Sequence, residues 1–129
     1  MSRNSIPVSA HLPLTPQVFQ ILLSLAGQPL HGYAIIADVD ARTRGEIRLT
    51  ASTLYDALAR LVDSALITEL DAPPQGTTDH DARRRYYELS ERGREAVRLE
   101  AARLQRLVDM ARHKHLAPAG GSVKPRGRR

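Results

Sequence analysis

Apolar residues recur every three or four positions through the middle of the chain, and this spacing predicts an amphipathic helix within Leu49 to Ile67. The predicted buried face consists of Leu54, Leu58, Leu61, Val62, Ala65 and Leu66. The opposite face is small or polar and consists of Ser52, Thr53, Asp56, Ala59, Arg60 and Asp63. Thr50 and Ser52 are both candidate N-caps, since their side-chain oxygens can accept from free amides of the first turn. Taken alone, this segment fits a surface helix of any small domain.

Two further helices are predicted ahead of this segment. Thr15 is a candidate cap and Pro16 occupies the first helical position, where its missing amide does no harm. The residues that follow are apolar on most sides, which indicates a buried helix that ends at Gly27. A second helix is predicted from about Gly32 to Arg42.

The residues after the central helix favour a β-hairpin. Leu66 to Leu70 alternates between apolar and polar residues, as a short strand does, and residues 71–81 have turn and loop composition. Arg83 to Leu89 is rich in β-forming residues and is predicted as the returning strand. A hairpin after three helices is the order of a winged helix-turn-helix. The predicted fold class is therefore mainly α with a small β-hairpin wing.

A long last helix is predicted from Glu91 to His115, with Ser90 as its cap. Its apolar residues follow the coiled-coil period of about 3.5 residues. They are Val97, Ala101, Leu104, Val108 and Ala111, with Leu107 and Met110 widening the stripe. We expect a partner helix, most simply that of a second copy of the chain, although packing onto the chain's own body stays open.

These elements divide the chain into four parts. Residues 1–13 are expected to form a flexible N-terminal arm, and residues 14–90 the winged helix-turn-helix domain. The C-terminal dimerisation helix, 91–115, is followed by a disordered basic tail, 116–129.

Composition narrows the possible chemistry and location. None of the 129 residues is cysteine, which excludes disulfides, thiolate metal sites and cysteine nucleophiles. No apolar run reaches the roughly 20 residues that span a bilayer, and the N-terminus lacks a signal-peptide pattern. We therefore expect a soluble cytoplasmic protein that does not associate with membranes.

The net charge of +5 suggests an acidic partner, but it is unevenly distributed. Residues 112–129 hold six basic residues and no acid, so residues 1–111 are nearly neutral. In that part of the chain, the one dense basic cluster is Arg83, Arg84 and Arg85.

Motifs for catalysis and for cofactor binding are absent from the sequence. It contains no glycine-rich phosphate loop, no helical pair of histidines around a glutamate and no nucleophile elbow. Asp79, His80 and Asp81, or His113 with His115, have too few ligands for a structural metal site. We predict neither an enzyme nor a bound cofactor or metal.

Double-stranded DNA is the partner that this order of elements favours. The last helix of a helix-turn-helix enters the major groove, while a wing lies along the adjacent backbone or minor groove. Thr53 and Arg60 are predicted groove-facing donors, and Ser52 can donate to a phosphate from the helix N-terminus. Asp56 repels phosphate, so it must accept from a cytosine amine, hold a neighbouring arginine or point away.

Arg83, Arg84 and Arg85 are predicted to meet phosphate at the base of the wing. If they lie in a strand, alternation lets two of the three face the duplex. The other interpretation is a solvated rim that pairs with Asp79 or Asp81.

Three motifs in order resemble the PadR family of transcriptional regulators. They are LHGYAIIADV, STLYDALARLVDSALI and RRRYYELSERGREAV, and the resemblance covers about Leu14 to Arg98. It implies a winged helix-turn-helix repressor that dimerises through its C-terminal helices and binds inverted repeats in promoters. The single helix after Ser90 is similar to the short-tailed branch of the family.

The resemblance also implies residue roles. Ser52 to Tyr55 match the start of the recognition helix, which adds Tyr55 to the expected DNA contacts, and Arg84 to Tyr87 match the returning wing strand, which adds Tyr86. Asp56 stands where the family commonly has proline, which leaves the operator sequence open. Ala65 replaces a common glycine, which suggests a helix end without a left-handed glycine.

The sequence says less about how the protein is regulated, and it leaves one alternative function open. Relatives respond to small aromatic or hydrophobic effectors or to partner proteins, and Tyr33 is the candidate effector-binding residue in a chain with no tryptophan. The alternative function is a protein-interaction adaptor that keeps the winged helix without specific DNA recognition and uses the C-terminal helix to pair with a different protein. The nearly neutral body and Asp56 are the features that fit it.

Overall fold

Four helices and three short strands form the part of the chain that the computed structural model describes, residues 6–118. They are α1 (Pro16–Ser24), β1 (Leu30–His31), α2 (Gly32–Arg42), α3 (Ala51–Asp63), β2 (Ile67–Glu69), β3 (Tyr86–Leu89) and α4 (Glu91–His113). This order confirms the predicted fold class. The start of the predicted arm, 1–5, and most of the predicted tail, 119–129, lie outside the described residues.

The strands form one antiparallel sheet in the order β1, β3, β2. β2 and β3 are the predicted hairpin, in which Ile67 is opposite Leu89. We call β2, β3 and the connecting residues 70–85 the wing. β1 was not predicted, because two residues are too few to show alternation. It pairs Leu30 with Tyr87 and so joins the start of α2 to the wing.

The core lies between the helices and one face of the sheet. α3 contributes Leu54, Leu58 and Leu61, all buried as predicted. The prediction was wrong for Val62, which is 37% exposed on the flank of α3 that faces the wing.

The end of α3 is closed by a residue in the left-handed conformation. Ala65 has a φ of 64°. The Leu66 amide donates to the Leu61 carbonyl at 3.0 Å, and the Ala65 amide donates to the Val62 carbonyl at 3.0 Å. These are the two bonds of a Schellman turn, whose left-handed position glycine usually occupies. The helix thus closes without glycine, as expected, but with alanine held in an unfavourable conformation.

We predict that Ala65→Gly stabilises the protein. An L-residue in the left-handed region costs about 1–2 kcal/mol, and the extra freedom of glycine in the unfolded chain offsets part of the gain. The free energy of unfolding, measured by urea titration, should rise by about 0.5 to 1 kcal/mol. Ala59→Gly within α3 is the control and should lower it by about 1 kcal/mol. A decrease for Ala65→Gly would contradict the backbone conformation.

The described part of the predicted arm, residues 6–13, packs against α4 instead of extending into solvent. Val8–His11 form a 3₁₀ turn, and the side chains of Val8 and Leu12 pack against the core. The Arg92 guanidinium donates to the Ile6 carbonyl at 2.9 Å and to His11 Nε2 at 3.2 Å. Such contacts between residues 81 or more positions apart leave no local pattern in the sequence.

One stripe of α4 changes from buried to exposed along the helix. Its first part is buried on the body through Gly93, Ala96 and Glu100. The same face continues through Leu104, Leu107 and Val108, which are exposed. The helix therefore extends about 20 Å beyond its last buried residue.

Candidate nucleic-acid interface

The surface of α3 that faces away from the core is small and polar. Given the helical period of about 3.6 residues, the residues opposite the buried leucines are Ser52, Asp56, Ala59 and Asp63, all exposed. Ser52 lies in the first turn, as predicted for a residue that meets a phosphate at a helix N-terminus. The short side chains along this row allow another molecule to come close to the helix backbone.

Thr50 is the cap of α3 and also orients Thr53. Its Oγ1 accepts from the Thr53 amide at 3.1 Å, and its hydroxyl donates to Thr53 Oγ1 at 2.9 Å. The Thr53 hydroxyl therefore keeps its own proton for an acceptor on a bound molecule.

Grooves flank α3 on both sides. A groove of about 240 Å³ separates it from α1 and is bordered by Thr53, Asp56 and Arg60 together with Thr15 and Gln17. A second groove, of about 280 Å³, lies next to the wing and is bordered by Tyr55, Ala59 and Val62 together with Glu69 and Arg85. The four predicted contact residues on α3 are thus divided, with Ser52 on the outer row, Thr53 and Arg60 beside α1, and Tyr55 beside the wing.

The three wing arginines do not form a strand, because β3 begins at Tyr86. The prediction that Arg83, Arg84 and Arg85 belong to the returning strand was therefore wrong, and strand alternation does not set their directions. The preceding residues Asp79–Asp81 form a 3₁₀ turn, and the three arginines lie in the irregular segment that follows. Their orientations follow from their individual contacts.

Arg84 is held by Asp81 within the wing and by Tyr33 on α2, so it is not free for a ligand. Its Nε lies 2.7 Å from Asp81 Oδ1, and its guanidinium lies over the Tyr33 ring, 4.9 Å from the centroid. The hydrogen bond from Arg84 lowers the pKa of Asp81, so the pair stays charged at neutral pH. The alternative of a rim arginine paired with Asp81 thus describes Arg84.

Arg83 and Arg85 remain exposed. Arg85 Nε lies 3.7 Å from Glu69 Oε2, a loose pair between two partly solvated side chains. Arg83 has no ion pair or hydrogen bond within residues 6–118. Arg83 is therefore the wing cation with the fewest constraints.

Tyr86 is not on the DNA-facing surface that the resemblance implied. Only 8% of it is exposed, and its ring packs edge-on against His31, with centroids 5.3 Å apart. Alternation places Tyr86 on the same face of β3 as the exposed Glu88, so its burial comes from His31, the β1 residue that pairs with it.

The start of α2 is the region whose role the sequence least revealed. His31 is the helix cap, with Nδ1 accepting from the Ala34 amide at 3.2 Å. Burial, with the nearby charge of Arg84, lowers the pKa of His31, which keeps Nδ1 free to accept. A Cβ on Gly32 would lie 2.4 Å from the Tyr55 hydroxyl, so the glycine admits that ring. The Gly-Tyr motif thus brings α2 against both α3 and the wing.

Comparison with known proteins assigns this geometry to a family. The model of the transcriptional regulator PadR-like family matches residues 21–99, from α1 into α4. The chain belongs to this family. The resemblance found in the three sequence motifs is thereby confirmed, and so is the expectation of a transcriptional regulator in place of an enzyme.

One curated relative is matched over only a small part of its length. An uncharacterized 37.1 kDa protein in transposon TN4556 of Streptomyces fradiae is 38% identical over 87 residues, which are 67% of this chain and 22% of that protein. The chain therefore spans less than a quarter of that relative.

Solved structures of PadR proteins share the fold. A PadR family regulator from Clostridium difficile has a TM-score of 0.64 at 22% identity, covering 78% of this chain and 99% of that one. Bacillus subtilis PadR in complex with operator DNA has a TM-score of 0.53 at 23% identity, covering 87% of this chain and 54% of that one.

None of the helices in residues 6–118 is both long and apolar enough to cross a membrane. Within the same residues, no group of three or more histidine or acidic side chains is placed to hold a metal ion.

Proposed function

We propose that this PadR-family regulator is a homodimeric repressor that binds an inverted repeat in promoter DNA. The observation that carries the proposal is the exposed row of small and polar side chains on α3, next to a wing in which Arg83 has no ion pair within residues 6–118. A helix with such a surface fits the major groove, and a wing cation reaches the adjacent phosphates. Ser52, Thr53, Tyr55 and Arg60 are the proposed contacts on α3, and Arg83 and Arg85 those on the wing.

We predict that Arg83→Ala weakens binding to every duplex and reduces its salt dependence. Each phosphate contact releases counterions and contributes about 0.9 to the slope of log affinity against log salt. Two wings in a dimer make the expected reduction about 2. Fluorescence anisotropy titrations from low to moderate salt measure it. Arg98→Ala on α4, whose arginine pairs with Glu95, is the control, and an equal slope for both variants would remove Arg83 from the interface.

Arg84 has a different proposed role, since it anchors the wing. Its contact with the Tyr33 ring joins the wing to α2, and its ion pair with Asp81 holds Arg84 within the wing, so together they set the position of Arg83.

The exposed half of α4 supports the proposed homodimer. Leu104, Leu107, Val108 and Met110 are all at least 37% exposed on this projecting segment. Where α4 meets α1, an open apolar groove of about 590 Å³ is bordered by Leu14, Phe19 and Leu104. A second α4 would cover both surfaces. Of the six residues predicted for dimerisation, Ala101 and Ala111 fit the same interface, while Val97 packs against its own core.

We propose that a small hydrophobic or aromatic effector, if one regulates the protein, binds beside α4 and not at Tyr33. Tyr33 is 61% exposed, but Arg84 covers one face of its ring, which leaves less room for a flat ligand to stack. The groove beside Phe19 and Leu104 is the larger apolar surface, and it lies at the proposed dimer contact.

Footprinting of the DNA upstream of the chain's own gene tests the proposal. We expect a protected site with two-fold symmetry whose half-sites are about one helical turn, roughly 34 to 36 Å, apart. Protection that is uniform along the DNA, together with a monomer by light scattering, would favour the adaptor function instead. The two acids Asp56 and Asp63 on the outer face of α3 are the feature that supports that alternative.

A further inference from the structure

We propose that Asp56 is a specificity-determining residue that reads a cytosine in each half-site of the operator. The inference rests on the proposed function, because it assumes that α3 enters the major groove. It goes beyond that function by assigning a base to one side chain.

Asp56 lies at a position on α3 from which a side chain can contact DNA bases. Asp56 lies in the second turn of the helix, exposed and on the side opposite Leu54 and Leu58. In helix-turn-helix proteins, residues near the N-terminus of this helix contact base edges. A side chain at this position therefore points at bases when α3 is in the groove.

The neighbours of Asp56 make contact possible for so short a side chain. Ser52 precedes it by one turn and Ala59 follows it by three residues, and both are exposed. Neither extends beyond an aspartate, so the backbone of α3 can come close to the base pairs. A long side chain at either position would hold Asp56 away from them.

The carboxylate of Asp56 has no internal partner. No ion pair or hydrogen bond joins it to another residue within 6–118, and the guanidinium of Arg60, one turn further along, has none there either. Asp56 therefore does not hold a neighbouring arginine, which was one of the three roles that the sequence left open for it. An unpaired acid near phosphate is unfavourable unless a donor on the DNA compensates for it.

The chemistry of the bases selects the partner. A carboxylate only accepts hydrogen bonds. In the major groove, guanine presents two acceptors and thymine one acceptor and a methyl group, so neither can donate to Asp56. Cytosine presents only its amine, whereas adenine places an acceptor beside its amine, which repels the carboxylate. Cytosine is therefore the base that fits best.

Selection of binding sites from a random duplex library tests the inference. The unaltered chain, Asp56→Asn and Asp56→Ala are each selected, and the bound sequences are compared position by position. Asp63→Asn, which removes an acid from the other end of the same helix face, is the matched control. Folding of each variant is checked by its thermal transition.

We expect cytosine at one position of each half-site for the unaltered chain and for Asp56→Ala no preference there. For Asp56→Asn we expect adenine, since an amide pairs with both the amine and N7 of adenine. Replacing the preferred cytosine should weaken binding of the unaltered chain by about tenfold and leave Asp56→Ala nearly unaffected. Asp63→Asn should keep the cytosine.

Two other outcomes are distinguishable. If all four proteins select the same symmetric site, DNA recognition stands and the role of Asp56 is overturned. If the unaltered chain enriches no sequence, the proposed function fails, and the assignment of a base to Asp56 fails with it.

Discussion

Gly93→Ala should lower the free energy of unfolding by about 3 kcal/mol, although alanine normally stabilises a helix interior. Gly93 lies where α4 crosses the end of α3, and an added Cβ would be 2.1 Å from the Leu66 carbonyl oxygen and 2.6 Å from Leu89 Cδ1. The same carbonyl accepts from the Ser90 amide at 3.1 Å. The added methyl group would overlap the Leu66 backbone and the Leu89 side chain, so α4 must shift.

Urea unfolding at one fixed protein concentration measures this effect, since the stability of a dimer depends on concentration. Gly27→Ala is the control, because a Cβ there has nothing within 4 Å and should change stability little. Equal stabilities of the two variants would contradict the close crossing of α4.

Leu107→Asp should convert the proposed dimer into a monomer and weaken binding to a two-fold symmetric site by roughly 100-fold or more. Leu107 is 45% exposed on the part of α4 beyond the body, where a charge does not disturb the protomer's core. In a helix pair the same charge would lie between apolar side chains. Light scattering and anisotropy titration measure the two effects.

Ala102→Asp is the matched control, since Ala102 lies on the opposite, exposed side of α4. It introduces the same charge and should leave both the mass and the affinity unchanged. A Leu107→Asp variant that stays dimeric would place the dimer contact elsewhere.

The sequence predicted those parts of the fold that depend on local pattern. The leucine spacing of α3, the cap at Thr15 and the turn composition of the wing each act over a few residues. β1 was missed because its two residues form a strand only when β3 is beside them. The packing of residues 6–13 was missed because Arg92, which bonds to Ile6, lies 86 positions further along the sequence.

The candidate site was predictable as a set of elements but not as a set of orientations. Three adjacent arginines look equivalent in the sequence, yet Arg84 is held by Asp81 and Tyr33 while Arg83 is unconstrained. Tyr86 was expected at the interface, and its partner His31 instead holds it inside. The pair with Asp81 is local, but the contacts of Arg84 with Tyr33 and of Tyr86 with His31 join residues far apart in the sequence, which no spacing within either segment indicates.

Recognition of a specific, two-fold symmetric DNA site by α3 and the wing can be measured by selection of the unaltered chain on a random duplex library. We expect an enriched inverted repeat with half-sites about one helical turn apart, bound at least about 1,000-fold more tightly than random DNA. Recovery of unenriched sequences, bound no better than the starting library, would contradict it.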